Sequence, residues 1–261
     1  MVLHVVIARY KENVSWIYDA FGDLDANVTF FVYNKGGDVE VLKEQIAPFK
    51  EKVVIEELLN VGRESHTYMY HIVKYYKQYT SRTTPVADEP YVLCCQGHID
   101  DHEELVDLPT IRSMVADAKI YRFSKSTAIA HWFGRNSAIP EFKIRRWRGE
   151  IVENVPETFG QWFEKHVTDK YCFPRKALWW ACAIFCFKST ILATKPLAYF
   201  KDLLEQIGKT RNPEIGHFFE RSWLYILTNS VPLPMRYYYL KLDDYVMRQL
   251  VIKSRKVLEN T

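Results

Sequence analysis

Three places along the chain bring together side chains able to do chemistry. The first is a glycine turn, Asn60-Val61-Gly62, followed by Arg63, His66, Thr67 and Tyr70. An apolar run precedes the turn and a helical period follows it. Such a strand–turn–helix unit presents free backbone N–H groups and a positive dipole end to an anion. Arg63 adds a planar guanidinium suited to phosphate. The same residues also fit an ordinary turn whose arginine caps a neighbouring carbonyl. The second place is Gln96-Gly97-His98-Ile99-Asp100-Asp101-His102, at the end of an apolar run. Its carboxylates, imidazoles and amide suit a divalent cation, a phosphate or a proton transfer. A solvated turn with helix-capping aspartates is the plainer alternative. The third is Glu220-Arg221, within Gly216-His217-Phe218-Phe219-Glu220-Arg221-Ser222-Trp223. A partly desolvated carboxylate holds a proton more tightly, as a general base requires. A fixed Glu–Arg ion pair would instead be structural.

The elements that must position these groups follow from periodicity. Residues 3–8, 28–33, 53–55 and 91–95 are short apolar runs of the kind buried on both faces of a parallel sheet. Between them lie a short helix opening at Val14, a weakly helical stretch over 39–49, and a helix after Gly62. In that last helix Met69, Ile72, Val73 and Tyr76 recur at the spacing of one buried face. Strand and helix alternate as in a doubly wound α/β sheet, whose ligand crevice lies at the carboxyl ends of the strands. The loops 9–13, 34–38 and 60–67 converge there. A helix is expected over 108–119 with an extended stretch at 120–123. Residues 124–156 show no clean period and read as irregular structure over the sheet, an acceptor wall. Within it, Arg145-Arg146-Trp147-Arg148 suits an anion or plain solvent. Helices are expected over 159–167, 196–207, 223–227 and 240–258, with a fifth strand over 181–187 preceded by Trp179-Trp180.

Composition narrows the class. The chain has 261 residues, 48% hydrophobic and 15% aromatic, enough for a sizeable core in one large α/β domain or in two small ones. With 35 basic and 32 acidic residues the balance is near neutral, and arginines do not alternate with aromatics, so nucleic acid is not the expected partner. Five cysteines, none in a Cys-x-x-Cys pair and two adjacent at Cys94-Cys95, read as buried thiols in a reducing compartment. The opening MVLHVVIARY is a strand rather than a signal peptide, and the longest apolar stretch, 177–187, is too short for a membrane span. A soluble, cytoplasmic protein is therefore expected.

Four segments, HVVIARYKENVSWI, FVYNKGG, NVGRESHTYMYHIV and CCQGH, resemble the successive blocks of a domain family of unknown function. That family in turn is similar to the GT-A fold glycosyltransferases. Later segments, WWACAIFCFKS and GHFFERSW, are also similar to small GT-A enzymes. The resemblance implies one GT-A-like domain over 1–261, with 1–123 binding the nucleotide sugar and 124–261 the acceptor. It implies an inverting transfer from a nucleotide-diphosphate sugar, a UDP-sugar first among candidates, to a glycan or glycoprotein hydroxyl. Ala8, Arg9, Tyr10 and Glu12 would hold base and ribose, closed by Asn34 and Lys35. Arg63, His66, Thr67 and Tyr70 would meet diphosphate and ribose. Glu220 would be the general base with Asp101 its rival, and Trp179, Trp180, His217 and Arg221 would face the acceptor. The metal-binding Asp-x-Asp of such enzymes falls at Gln96-Gly97-His98. Either Asp100 and Asp101 serve Mn2+ or Mg2+ from a shifted register, or Arg63 and backbone N–H groups neutralise the diphosphate without metal. Two other classes fit the residues: a metal-assisted hydrolase centred on His98, Asp101 and His102, and a binding module that holds nucleotide or glycan without turnover.

Overall fold

Apolar runs too short for helices make the central sheet of this computed structural model. The inner runs are buried on both faces, whereas the run 53–55, expected to be so, lies at the sheet edge with Val54 43% exposed. The structure describes residues 2–21, 27–81, 89–98, 137–138, 140–147, 149–167, 177–178 and 184–227. The chain divides into two units, Met1–Asn229 and Ser230–Thr261, and every described residue lies in the first. Strand β1 is Val2–Arg9, followed by helix α1 (Ile17–Phe21), β2 (Asn27–Asn34) and α2 (Val39–Gln45). A 3-10 turn at Ala47–Lys52 leads to β3 (Val53–Glu57), then α3 (Arg63–Tyr79) and β4 (Tyr91–Gln96). Two-residue ladders follow: β5 (Ser137–Ala138) pairs with β8 (Ala177–Leu178), and β6 (Arg146–Trp147) with β7 (Glu150–Ile151). Helix α4 (Phe159–His166) starts at a capping box, Thr158 and Gln161 exchanging bonds with each other's backbone. Strand β9 (Phe185–Lys188) is followed by a 3-10 turn, α5 (Leu197–Ile207), α6 (Glu214–Glu220) and α7 (Trp223–Leu227).

The main sheet has the order β3-β2-β1-β4-β9. The first four strands are parallel and β9 runs antiparallel to β4. This is a mixed α/β fold with a mostly parallel five-stranded sheet flanked by helices, as the alternating periods predict. Strand alternation divides the core in two. Val5, Ile7, Phe30, Val32, Leu93 and Cys95 face α1 and α2. Val6, Phe31, Tyr33, Val92 and Cys94 face α3 and the later helices.

The expected strand at 181–187 is seen as β9 at Phe185–Lys188, with 181–183 outside the described residues. Two readings need correction. The stretch around Arg145–Arg148 is not wholly irregular: β6 and β7 form a hairpin with Gly149 at φ +84°. Glu214–Glu220 is itself a helix, because Ile215, Phe218 and Phe219 bury one face. The expected helices at 108–119 and 240–258 lie outside the described residues. Among those described, no helix is long and apolar enough to cross a membrane.

Candidate functional site

The sheet order reverses between β1 and β4, and a crevice opens at such a point because the connecting helices leave in opposite directions. Ala8 and Gln96 are register partners at the carboxyl ends of these strands. They open into a cleft of about 380 Å³, lined also by Arg9, Tyr10, Glu12, Lys35, Asn60, Arg63, Glu64, Trp147, Glu150, Arg211 and Asn212. Each of the four sequence blocks thus contributes to one cavity: Ala8–Glu12, Lys35, Asn60–Glu64 and Gln96.

Arg9 organises the floor. Its guanidinium is fully buried and forks onto Asp38, at 2.6 Å and 2.9 Å. It also donates to Asn34 Oδ1 at 2.7 Å and to the Glu12 carbonyl at 2.8 Å. Those bonds join the ends of β1 and β2, so Arg9 is built in as a brace. They also hold the Asp38 carboxyl down to about 2, well below the usual carboxylate range. The loop Tyr10–Glu12 is closed by the Glu12 carboxylate accepting from the Tyr10 N–H. Tyr10, also in the cleft lining, is 42% exposed.

Arg63 is presented by a tight approach. Gly62 has φ +62°, and its N–H donates to the Thr210 carbonyl at 2.7 Å. A Cβ there would lie 2.5 Å from the Ile207 carbonyl oxygen, so only glycine fits. Arg63 follows at φ +53°, an uncommon backbone state for a residue with a side chain. Buried Lys35 holds this turn, its Nζ donating to the carbonyls of Val61, at 2.7 Å, and Arg63. Burial lowers the Lys35 amine to about 8, against the opposing pull of Glu64.

The far wall is the β6–β7 hairpin. Glu214, fully buried, pins its base by accepting from the Ile144 N–H at 2.9 Å, the Val155 N–H at 3.0 Å and Lys143 Nζ at 2.8 Å. The hairpin turns Trp147 and Glu150 to the cleft. Trp147 meets the His217 ring edge to face at 5.5 Å, and Arg63 Nη1 reaches the same imidazole at 3.2 Å. Burial, together with the charges of Arg63 and Arg221, pushes His217 down to about 3. The imidazole is therefore neutral and accepts from Arg63.

Ala8, Arg9, Tyr10, Glu12, Lys35, Arg63 and Gln96 come together in the cleft. Others of the expected residues stand behind it. Asn34 accepts from Arg9, and Thr67 is fully buried inside α3. Tyr70 donates to Glu56, with His66 stacked on its ring at 6.4 Å. Gly97 donates its N–H to the Ala8 carbonyl and receives the Trp16 indole N–H on its own, while His98 is exposed. Glu220 and Arg221 lie 3.5 Å apart, Arg221 resting on the Phe142 ring and donating to the His217 carbonyl. Asp100, Asp101, His102, Trp179 and Trp180 lie outside the described residues. Among those described, no group of three His, Cys, Asp or Glu side chains is placed to hold a metal ion. The sequence signal for Glu214 is its place one turn before Phe218 on an apolar helix face, where a carboxylate must find buried donors.

No family model matches the chain, and no curated protein matches it in sequence. Six chains among solved structures match. One is described as "Crystal structure of 4-diphosphocytidyl-2C-methyl-D-erythritol synthase", with TM-score 0.37 and 12% identity over 87% of this chain and 96% of that one.

Proposed function

We propose that this chain is a glycosyltransferase that takes a nucleotide-diphosphate sugar, UDP-sugars first, and moves the sugar to a hydroxyl of a glycan or glycoprotein. The observation that carries this reading is the convergence of four separated sequence blocks, those that resemble GT-A transferases, on one cleft at the switch point of the sheet. Base and ribose sit against the backbone of Ala8–Glu12 and the Tyr10 ring. The diphosphate faces Arg63 and the start of α3. As the bond to sugar C1 breaks, charge grows on the leaving phosphate oxygen, and fixed cationic donors stabilise it. Arg63 suits this role because the Gly62 turn, the neutral His217 and the Glu64 carboxylate, 3.5 Å from its Nε, orient its guanidinium at the cleft wall. Transfer with inversion also needs a carboxylate to take the acceptor proton, a role we assign to Glu220. Asp100 and Asp101, the candidate ligands of Mn2+ or Mg2+, lie outside the described residues.

Thermal unfolding with a panel of uridine, guanosine and cytidine nucleotide sugars tests the reading. A true donor at 100 times its Kd adds about 2.7 kcal/mol of stability. No shift with any member of the panel would sink the proposal.

A further inference from the structure

The cleft does not end at Arg63. The His217 ring lies against both Arg63, whose Nη1 is 3.2 Å away, and the Trp147 indole, with ring centroids 5.5 Å apart. A group attached to a phosphate at Arg63 is thereby brought toward the hairpin. Trp147 is 42% exposed although it belongs to the cleft lining, a large apolar face left open to the ligand space. Two polar groups stand beside it. The Glu150 carboxylate is paired to Arg211 at 3.4 Å, and Arg211 lies 5.8 Å over the Tyr10 ring at the opposite lip. Asn212 is nine-tenths buried, its Nδ2 donating weakly to the Ile151 carbonyl at 3.4 Å. Its Oδ1 has no hydrogen-bond partner among the described residues.

An exposed aromatic face with a carboxylate, a planar cation and an unsatisfied amide at its edge is chemistry for a polyhydroxylated ring. The C–H faces of a pyranose carry partial positive charge and lie well on the negative face of an indole. Its hydroxyls donate to carboxylate and amide oxygens and accept from guanidinium N–H groups. A flat nucleobase would also stack there, yet Tyr10 serves that end of the cleft and the hairpin lies beyond the phosphate position. We infer that Trp147, Glu150 and Asn212 form the subsite for the hexosyl group of the donor, with Arg211 bridging it to the Tyr10 lip. This inference rests on the transferase reading above.

Calorimetric titration of UDP, UDP-glucose, GDP and GDP-mannose into wild type, Trp147→Ala, Trp147→Phe and Glu150→Gln tests it. In the series that binds, the hexose ester should bind more tightly than the bare diphosphate. Trp147→Ala should weaken the ester by about tenfold, the size of one good aromatic contact, and leave the bare diphosphate unchanged. Trp147→Phe should restore part of the loss. Trp147 is exposed and the hairpin is pinned by Glu214, so the variants should melt as wild type does. Where Trp147→Ala melts early, Glu150→Gln carries the same comparison. Equal weakening of ester and diphosphate, or no gain from the hexose in wild type, overturns the subsite while the donor cleft stands. Failure of all four ligands to bind wild type overturns the hexosyl subsite, and the donor cleft falls with it only when the full uridine, guanosine and cytidine panel also gives no thermal shift.

Discussion

Arg9 and Arg63 both reach the cleft, yet their surroundings give them different capacities. Arg9 spends its donors on Asp38, Asn34 and the Glu12 carbonyl, so its charge is matched and its position fixed. Arg63 leans on a neutral imidazole and lies 3.5 Å from the Glu64 carboxylate, which leaves a guanidinium edge for a ligand. Arginine content alone does not separate such cases; the partner of each guanidinium does. Glu220 poses the same question for a carboxylate. It lies 3.5 Å from Arg221, whose own guanidinium rests 3.9 Å over Phe142. If Glu220 is the base, Glu220→Gln keeps nucleotide-sugar binding and lowers release of nucleoside diphosphate by about a hundredfold or more. Asp101→Asn is the matched control. Loss of transfer in Asp101→Asn, with Glu220→Gln affecting only the melting temperature, would move the base to Asp101.

At the scale of elements, α3 is the piece on which the site depends. Of the expected face, Met69 and Ile72 are fully buried and Val73 and Tyr76 half-buried, while Tyr68 and His71 are buried in addition, because the helix is covered by the sheet on one side and by α5 and α6 on the other. Its first turn is held by contacts from distant parts of the chain: Lys35 from the end of β2, Ile207 and Thr210 from the end of α5. Gly62→Ala combines a left-handed backbone with a Cβ driven into the Ile207 carbonyl, and that carbonyl belongs to a packed helix that cannot yield cheaply. The expected cost is at least about 2 kcal/mol of folding stability, read from the urea midpoint. Nucleotide binding should fall as well, since Arg63 is displaced. An alanine variant as stable as wild type would show that the turn relaxes freely.

For the whole molecule, acid response is the clearest consequence of how the core is built. His4, Tyr79, His71 and Tyr33 form a buried chain of hydrogen bonds, at 2.7, 2.6 and 2.8 Å in turn, between β1, α3 and β2. Burial lowers His4 and His66 to about 4 and His217 to about 3, and lowers His71 as well. Their unfolded value is near 6.5, so below that pH the unfolded chain binds protons that the folded one refuses. Stability then rises with pH across the window, and falls as pH drops from about 6.5 toward 4. Each fully buried histidine adds a slope of up to about 1.4 kcal/mol per pH unit. Urea midpoints at pH 7.5, 6.0 and 5.0 should drop steeply between the last two. A flat profile would mean that these imidazoles are charged in the folded protein at no cost.

Much of this was legible from the chain alone. Apolar runs of strand length, alternating with helical periods, specify a mostly parallel α/β sheet, because only burial on both faces tolerates such continuous hydrophobicity. The Asn60-Val61-Gly62-Arg63 turn and the Ala8–Glu12 loop were readable as cleft residues, since a parallel sheet sends all its strand ends to one side. What tertiary structure alone decided is which polar side chains face one another there. No period or spacing shows that Arg9 is consumed by Asp38, that Lys35 grips the turn ahead of α3, or that His217 stands between Arg63 and Trp147. Nor does any local pattern place Trp147, Glu150 and Arg211 on the wall, because the pairing of Arg211 with Glu150 alone joins residues 61 positions apart. Secondary structure follows from neighbours in sequence, whereas charge, protonation and access at a site follow from neighbours in space.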